Sequence, residues 1–269
     1  MSYGLFSINV PHRGYVRPFA LVEELFPVDT VPAWEGRRSG LELHWYGLTY
    51  GTYQMLADEK DVYELRGASE PVYFAVARLW SDLVEIIPSV LDTIPEFLAA
   101  RLTNVDEWER WATKAFELDG YDDAKKVATE WWYARQMEAL HFDAPPIVSM
   151  WRTGENIRVS WRPNPGAEDI WANPRADTVV RTEEFLDELL AFDRRLMASM
   201  SKRIDDIEHH WNRPDVHIDL AELRRDHCTR CRALEAALHL PLQRRHSWAE
   251  IQEAVSTIDL ALQPSLRSL

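Results

Sequence analysis

The order in which hydrophobic periodicity changes along the chain restricts its fold more than any single motif. Alternation with a period of two marks the first third, apolar spacings of three and four mark the middle, alternation returns near residue 147, and helical spacing then runs to the end. Strands and helices grouped in blocks, without βαβ alternation, predict an α+β fold with mostly antiparallel sheet. Two strand groups, at about 5–66 and 147–181, are expected to pack against helices, followed by a helical C-terminal tail. Because isolated hairpins are marginal, the two groups are expected to join in one sheet. Residues 1–210 read as a single α+β domain and 211–269 as a helical extension packed on it.

In the first group, Leu5–Val10, Pro18–Val22, Leu41–Tyr46, Tyr50–Leu56 and Val62–Leu65 are short and rich in aromatic and β-branched residues. Leu41, Leu43 and Trp45 alternate with Glu42, His44 and Tyr46, and the Gly47–Gly51 stretch is expected to turn this strand onto the next, with Tyr53 and Met55 on one face. Helical spacing through Val76, Leu79, Trp80, Leu83 and Ile87 is expected to end or kink at Pro88. A short helix follows near Pro95–Leu102, another is capped by Asn104, and a third runs from about Asp122 to Leu140. Ile147–Trp151 and Ile157–Trp161 form a hairpin, a loop spans Arg162–Asp177, and Thr178–Arg181 is a third strand. Thr182 is expected to cap a long helix, and Asp219 with Glu222 and Ser247 with Glu250 carry the capping-box spacing.

The 269 residues include 44 acidic and 30 basic side chains, for a net charge of −14. Residues 1–150 carry 24 acids against 13 basic side chains, and 151–269 carry 20 against 17. This argues against direct nucleic-acid binding, which needs a basic face for phosphates. A one-sided acidic surplus steers basic partners instead. The N-terminus lacks a signal-peptide pattern, and Asp82, Glu85, Asp92 and Glu96 interrupt the most apolar stretch, so neither secretion nor a membrane span is expected. The two cysteines, Cys228 and Cys231, lie too close to staple distant parts of a fold, and no disulfide-linked partner is expected. The cytoplasm is the expected compartment.

No phosphate-cradling glycine loop, dinucleotide fingerprint, nucleophile elbow or HExxH sequence is present. The sequence therefore leans away from an enzyme and implies no cofactor. The best metal-like grouping is His227, Cys228 and Cys231, but His227 and Cys231 fall on the apolar stripe of a helix starting near Asp219, so packing is the expected role and no metal is expected. Glu138 and His141 echo a di-iron spacing without its other ligands, and His141 is expected to cap a helix C-terminus.

Of 12 tryptophans, Trp45, Trp80, Trp108, Trp111 and Trp131 lie on apolar stripes, and Trp151 and Trp161 mark the second hairpin. Trp132 points about 100° away from Trp131, so either its helix is buried on two sides or Trp132 lies at a surface patch, and Trp171 sits in a proline-rich loop. These two, with Asp122 and Asp123, are the candidate partner-binding residues, since indoles make good interface anchors. Arg152 and Arg162 follow the hairpin tryptophans and are expected to pair with the acidic first half.

Three stretches together carry a resemblance: Leu43–Gly51 (LHWYGLTYG), Ala77–Leu83 (ARLWSDL), and the run from Met150-Trp151-Arg152 through Val159-Ser160-Trp161 to Phe185, Phe192-Asp193 and Leu196-Met197. The chain resembles an uncharacterised bacterial family, a domain of unknown function, over roughly residues 17–210. The resemblance implies a bacterial cytoplasmic protein without assigned catalytic residues, and by analogy one similar to immunity or antitoxin proteins. The sequence reading is thus a non-enzymatic intracellular protein that binds, and in the immunity form neutralises, a basic protein partner through its acidic N-terminal half. The alternatives are a hydrolase or metal-dependent enzyme with non-local catalytic residues, and a small-molecule sensor with an aromatic pocket.

Overall fold

The computed structural model describes residues 18–35, 40–137, 139, 141–167, 169–173, 175–240, 242 and 244–263. The strand expected at Leu5–Val10 and the side chain of Glu138 lie outside them. In chain order the elements are β1 (Phe19–Leu25), β2 (Trp34–Glu35), β3 (Leu41–Glu42), β4 (Tyr50–Ala57), β5 (Lys60–Asp61), β6 (Tyr73–Ala75), α1 (Val76–Leu91), α2 (Glu96–Arg101), α3 (Val105–Glu117) and α4 (Asp122–Tyr133). They continue with β7 (Gln136–Met137), β8 (Ile147–Thr153), β9 (Asn156–Arg162), β10 (Ala176–Arg181), α5 (Thr182–His210), β11 (Val216–His217), α6 (Leu220–Arg230), α7 (Ala233–His239) and α8 (Trp248–Leu262). The fold is α+β with antiparallel sheets packed against helices and a helical C-terminal part.

The two strand groups do not merge. One four-stranded sheet holds β4 between β1 on one side and β5 and β6 on the other, and a second runs β10-β9-β8-β7. Among the described residues, one isolated bridge, Leu65 to Trp171, links the groups. Two cores lie on opposite faces of the second sheet. Val148, Met150, Ile157, Val159 and Trp161 face a large core shared with β1, β4, α1 and α5. Trp151 points the other way, into a smaller core built from Leu98, Trp108, Trp131, Trp132, Ile251 and Val255. With both faces buried, β8 reads as a nearly continuous apolar run.

The Leu41–Tyr46 strand is shorter than expected and its hairpin is absent. Only Leu41–Glu42 is extended, pairing with β2 and in parallel with β11, while Gly47–Thr49 forms a 3₁₀ turn. Leu43 and Trp45 are nevertheless buried. The preferred partner of β4 is β1, which crosses so closely at Gly51 that a Cβ there would overlap the Glu24 carbonyl. Tyr53 and Met55 share the buried face.

Several ends also move. Helix α1 continues through Pro88 to Leu91. Helix α4 stops at Tyr133, well short of Leu140, because the buried guanidinium of Arg135 bonds the Trp131 carbonyl at 2.7 Å and reaches Asp92 at 3.2 Å. Thr182 is the first residue of α5, and its hydroxyl makes no cap; its N–H donates to the Glu155 carbonyl. The stretch expected as one helix from Asp219 divides into α6 and α7. Asp219 and Ser247 do cap their helices, and Ser247 with Glu250 completes a capping box.

Acids of the first half are widely tied by arginines of the second. Arg195 clamps Glu23 at 3.0 Å and bonds the Leu21 carbonyl, while Glu188 takes the Leu21 N–H at 3.2 Å. This side-chain pair occupies the outer edge of β1. Arg162 pairs with Glu109 at 2.9 Å, Arg244 with Asp92 and Arg245 with Glu130. Arg152, by contrast, bonds the Gly154 and Leu91 carbonyls rather than a carboxylate.

Candidate functional site

Helices α3 and α4 form an antiparallel hairpin whose inner face lies in the tryptophan core and whose tip stands in solvent. Asn104 caps α3 by accepting from the Glu107 N–H at 3.2 Å, and Trp108, Ala112 and Ala115 turn inward. Gly120, with φ of 81°, makes the turn after Leu118. Lys125 then folds back under it: its buried ammonium donates to the Leu118 carbonyl and to Asp122 at 3.1 Å. The tip is therefore held by a buried cation as well as by its turn.

What this brace presents is acidic and aromatic. Glu117, Asp119, Asp122 and Asp123 are all exposed, and no ion pair among the described residues involves Glu117, Asp119 or Asp123. Three rings stand among them, with Phe116 53%, Tyr133 44% and Tyr121 38% exposed. Phe116 and Tyr133 lie across the two helices with centroids 6.3 Å apart. They wall a groove of about 460 Å³ that Asp122, Lys126, Thr129 and Glu130 complete. Exposed rings contribute area and cation-facing π surface, and carboxylates around them supply charge, so the surface suits Lys or Arg side chains.

A second groove, of about 690 Å³, lies on the other side of α3. Its two carboxylates are already paired, Glu109 with Arg162 and Asp106 with Arg175, and Arg110 bonds the Asp106 carbonyl.

Of the residues singled out from sequence, Asp122 and Asp123 stand at this tip. Trp132 and Trp171 do not, which corrects their candidacy as surface anchors; of the two placements open to Trp132, burial of its helix on two sides is the one found. Trp132 is fully buried because α4 is enclosed on two sides, touching Trp108 of α3 and Trp151 of β8, and its indole N–H donates to Glu109 at 2.8 Å. Trp171 packs on Tyr63 and Phe142 and donates to the Ala144 carbonyl at 2.9 Å. The rings that are exposed at the tip escaped the sequence reading. The run Phe-Glu-Leu-Asp-Gly-Tyr-Asp-Asp, aromatic residues interleaved with acids about a glycine, was the available signal.

His227, Cys228 and Cys231 sit at the end of α6, with both thiols exposed, which corrects the core-facing position expected for Cys231. Trp45 donates to His227 Nδ1 at 3.3 Å, so the proton of the neutral ring is on Nε2, which donates to Ser201 Oγ at 2.8 Å. In that tautomer the imidazole has no lone pair for the serine hydroxyl, unlike a nucleophile and its base. Burial lowers the His227 pKa and raises that of the Cys231 thiol, 3.5 Å from Nε2. No group of three or more His, Cys, Asp or Glu among the described residues is arranged to hold a metal.

His141, expected at a helix end, instead lies against the first sheet. Tyr53 and His141 share a hydrogen bond of 2.5 Å, Phe74 stacks on the imidazole, and burial, helped by the Arg78 cation, lowers its pKa to about 4. The neighbouring Tyr63 hydroxyl is buried.

Fold and surface together describe an α+β protein with two cores and a braced, acidic aromatic hairpin. Residues 23–254 match a family of unknown function, DUF5984, and the chain belongs to that family. The match runs past residue 210 into α8, farther than the aromatic motifs alone suggested. No curated protein and no solved structure matches the chain. No helix among the described residues is long and apolar enough to cross a membrane.

Proposed function

We propose that this chain is a non-catalytic binding protein whose α3–α4 tip docks a basic protein partner. The observation carrying this reading is the coincidence of Phe116, Tyr121 and Tyr133 with four exposed carboxylates on one braced turn. A partner's Arg or Lys side chains lay their stems on the rings and their charge among the carboxylates. The immunity or antitoxin form of the reading adds that docking silences the partner, and the partner's own activity with and without the chain tests it.

The tagged chain and its Phe116→Ser/Tyr133→Ser variant are passed over lysate of the native host at low salt. The wild type is expected to retain a stoichiometric basic protein, and the variant, with an unchanged melting temperature, to lose it. Equal retention by both, or retention of no basic protein, overturns the reading.

A further inference from the structure

The two sheets treat their outer edges differently. The β1 edge is blocked at Leu21, whose N–H and carbonyl are bonded by Glu188 and Arg195. Among the described residues, strand β10 is the terminal strand of the other sheet. Its pairing with β9, Val180 opposite Ile157 and Thr178 opposite Val159, continues from the Thr182 N–H to Glu155 carbonyl bond. Antiparallel hydrogen bonding alternates by residue. The main-chain groups of Thr178 and Val180 therefore face β9, and those of Asp177 and Val179, with the Arg181 N–H, face outward; the Arg181 carbonyl, at the N-cap of α5, accepts the first helical bond. The same three side chains are exposed, and Val179 is 53% accessible.

We infer that β10 pairs antiparallel with β10 of a second copy of this chain about a twofold axis at Val179. Two such edges can meet in several registers that keep the outward groups opposed. Registers centred on Asp177 or Arg181 put like charges face to face, and those halfway between set a charge against Val179. Only the register centred on Val179 sets Asp177 of each copy opposite Arg181 of the other, with the two valines in contact between them. Arg181 already holds Glu184 at 3.0 Å and Arg158 donates to Asp177 at 2.7 Å, so the new pairs extend charge networks on the exposed face. The product is a continuous eight-stranded sheet, self-complementary as a twofold interface requires.

Sedimentation velocity on the full chain across a concentration series tests this. Wild type is expected to move toward twice the 31.3 kDa chain mass as concentration rises. Val179→Pro removes only an outward N–H, which an edge strand tolerates, and is expected to stay monomeric. Asp177→Arg and Arg181→Asp are each expected to be monomeric alone and to form a one-to-one dimer when mixed, since the mixture restores both opposite pairs. A wild type of single-chain mass at every concentration, or a dimer that survives Val179→Pro, overturns the inference. Should Val179→Pro fail to fold, the mixing experiment decides: two single variants that do not combine overturn it.

Discussion

Two sets of first-half acids behave differently: one is tied down by arginines of the second half, and the other, on the α3–α4 tip, stands in water. Glu23, Asp92, Glu109 and Glu130 pair with Arg195, Arg244, Arg162 and Arg245 of the second half. Glu117, Asp119 and Asp123 have no ion pair among the described residues, and the Asp122 side chain is almost fully exposed despite its contact with Lys125. The difference teaches that a net charge read from sequence is not a surface. Part of the N-terminal acidity holds the two halves of the chain together and is not available to a partner.

The comparison breaks most sharply where a tied charge is also buried. Arg135→Ala strips the Trp131 and Asp92 carbonyls and the Asp92 carboxylate of a donor and opens a hole beside Trp131. Removing one partner of a buried ion pair costs about 3–5 kcal/mol, and chemical denaturation is expected to show a loss of that size. Glu109→Ala releases Arg162, the Trp132 indole and Gln136 together. A loss of about 1–3 kcal/mol is expected on the same assay.

A smaller and pH-dependent effect isolates His141. Its folded pKa, about 4, lies below the ordinary 6.5, so the folded protein binds fewer protons than the unfolded chain in between. The stabilisation is complete above about pH 6.5 and is lost as the pH falls toward 4. Burial raises the pKa of Glu23, Asp61 and Asp193, which acts in the opposite sense. The informative quantity is therefore the difference between wild type and His141→Gln: the wild type's advantage in melting temperature at neutral pH should shrink across that window. A difference that stays constant with pH contradicts the assignment.

The smallest effect on stability belongs to the tip. Glu117→Gln, Asp119→Asn, Asp122→Asn and Asp123→Asn together are expected to shift stability little, since exposed single substitutions typically fall within about 0.5 kcal/mol each.

What the sequence disclosed follows from range. The blocks of periodicity carried the fold class, and the α3 cap, the β8–β9 hairpin and the start of α4 were legible because each depends on neighbours along the chain. Periodicity left Trp132 between two-sided burial and a surface patch, because the partners that decide it, Trp108, Trp151 and Glu109, come from other elements. The end of α4 was missed for a similar reason: periodicity continues to Arg135, but that guanidinium turns back onto Trp131 and across to Asp92. The Leu41–Tyr46 alternation correctly marked buried Leu43 and Trp45 yet not their sheet, because β1 competes for β4. At the site, Asp122 and Asp123 were visible as a helix start, whereas the exposure of Phe116, Tyr121 and Tyr133 depends on where the hairpin tip stands.

One measurement separates local recognition from bulk charge. Capture of the basic partner is compared for wild type, for the four-residue tip variant, and for a control with the same change in net charge at exposed acids elsewhere, Glu155→Gln, Asp187→Asn, Glu235→Gln and Glu253→Gln. The tip variant is expected to lose the partner while the control retains it. Equal capture by all three proteins, or equal loss by both variants, contradicts the assignment of the α3–α4 tip as the docking surface.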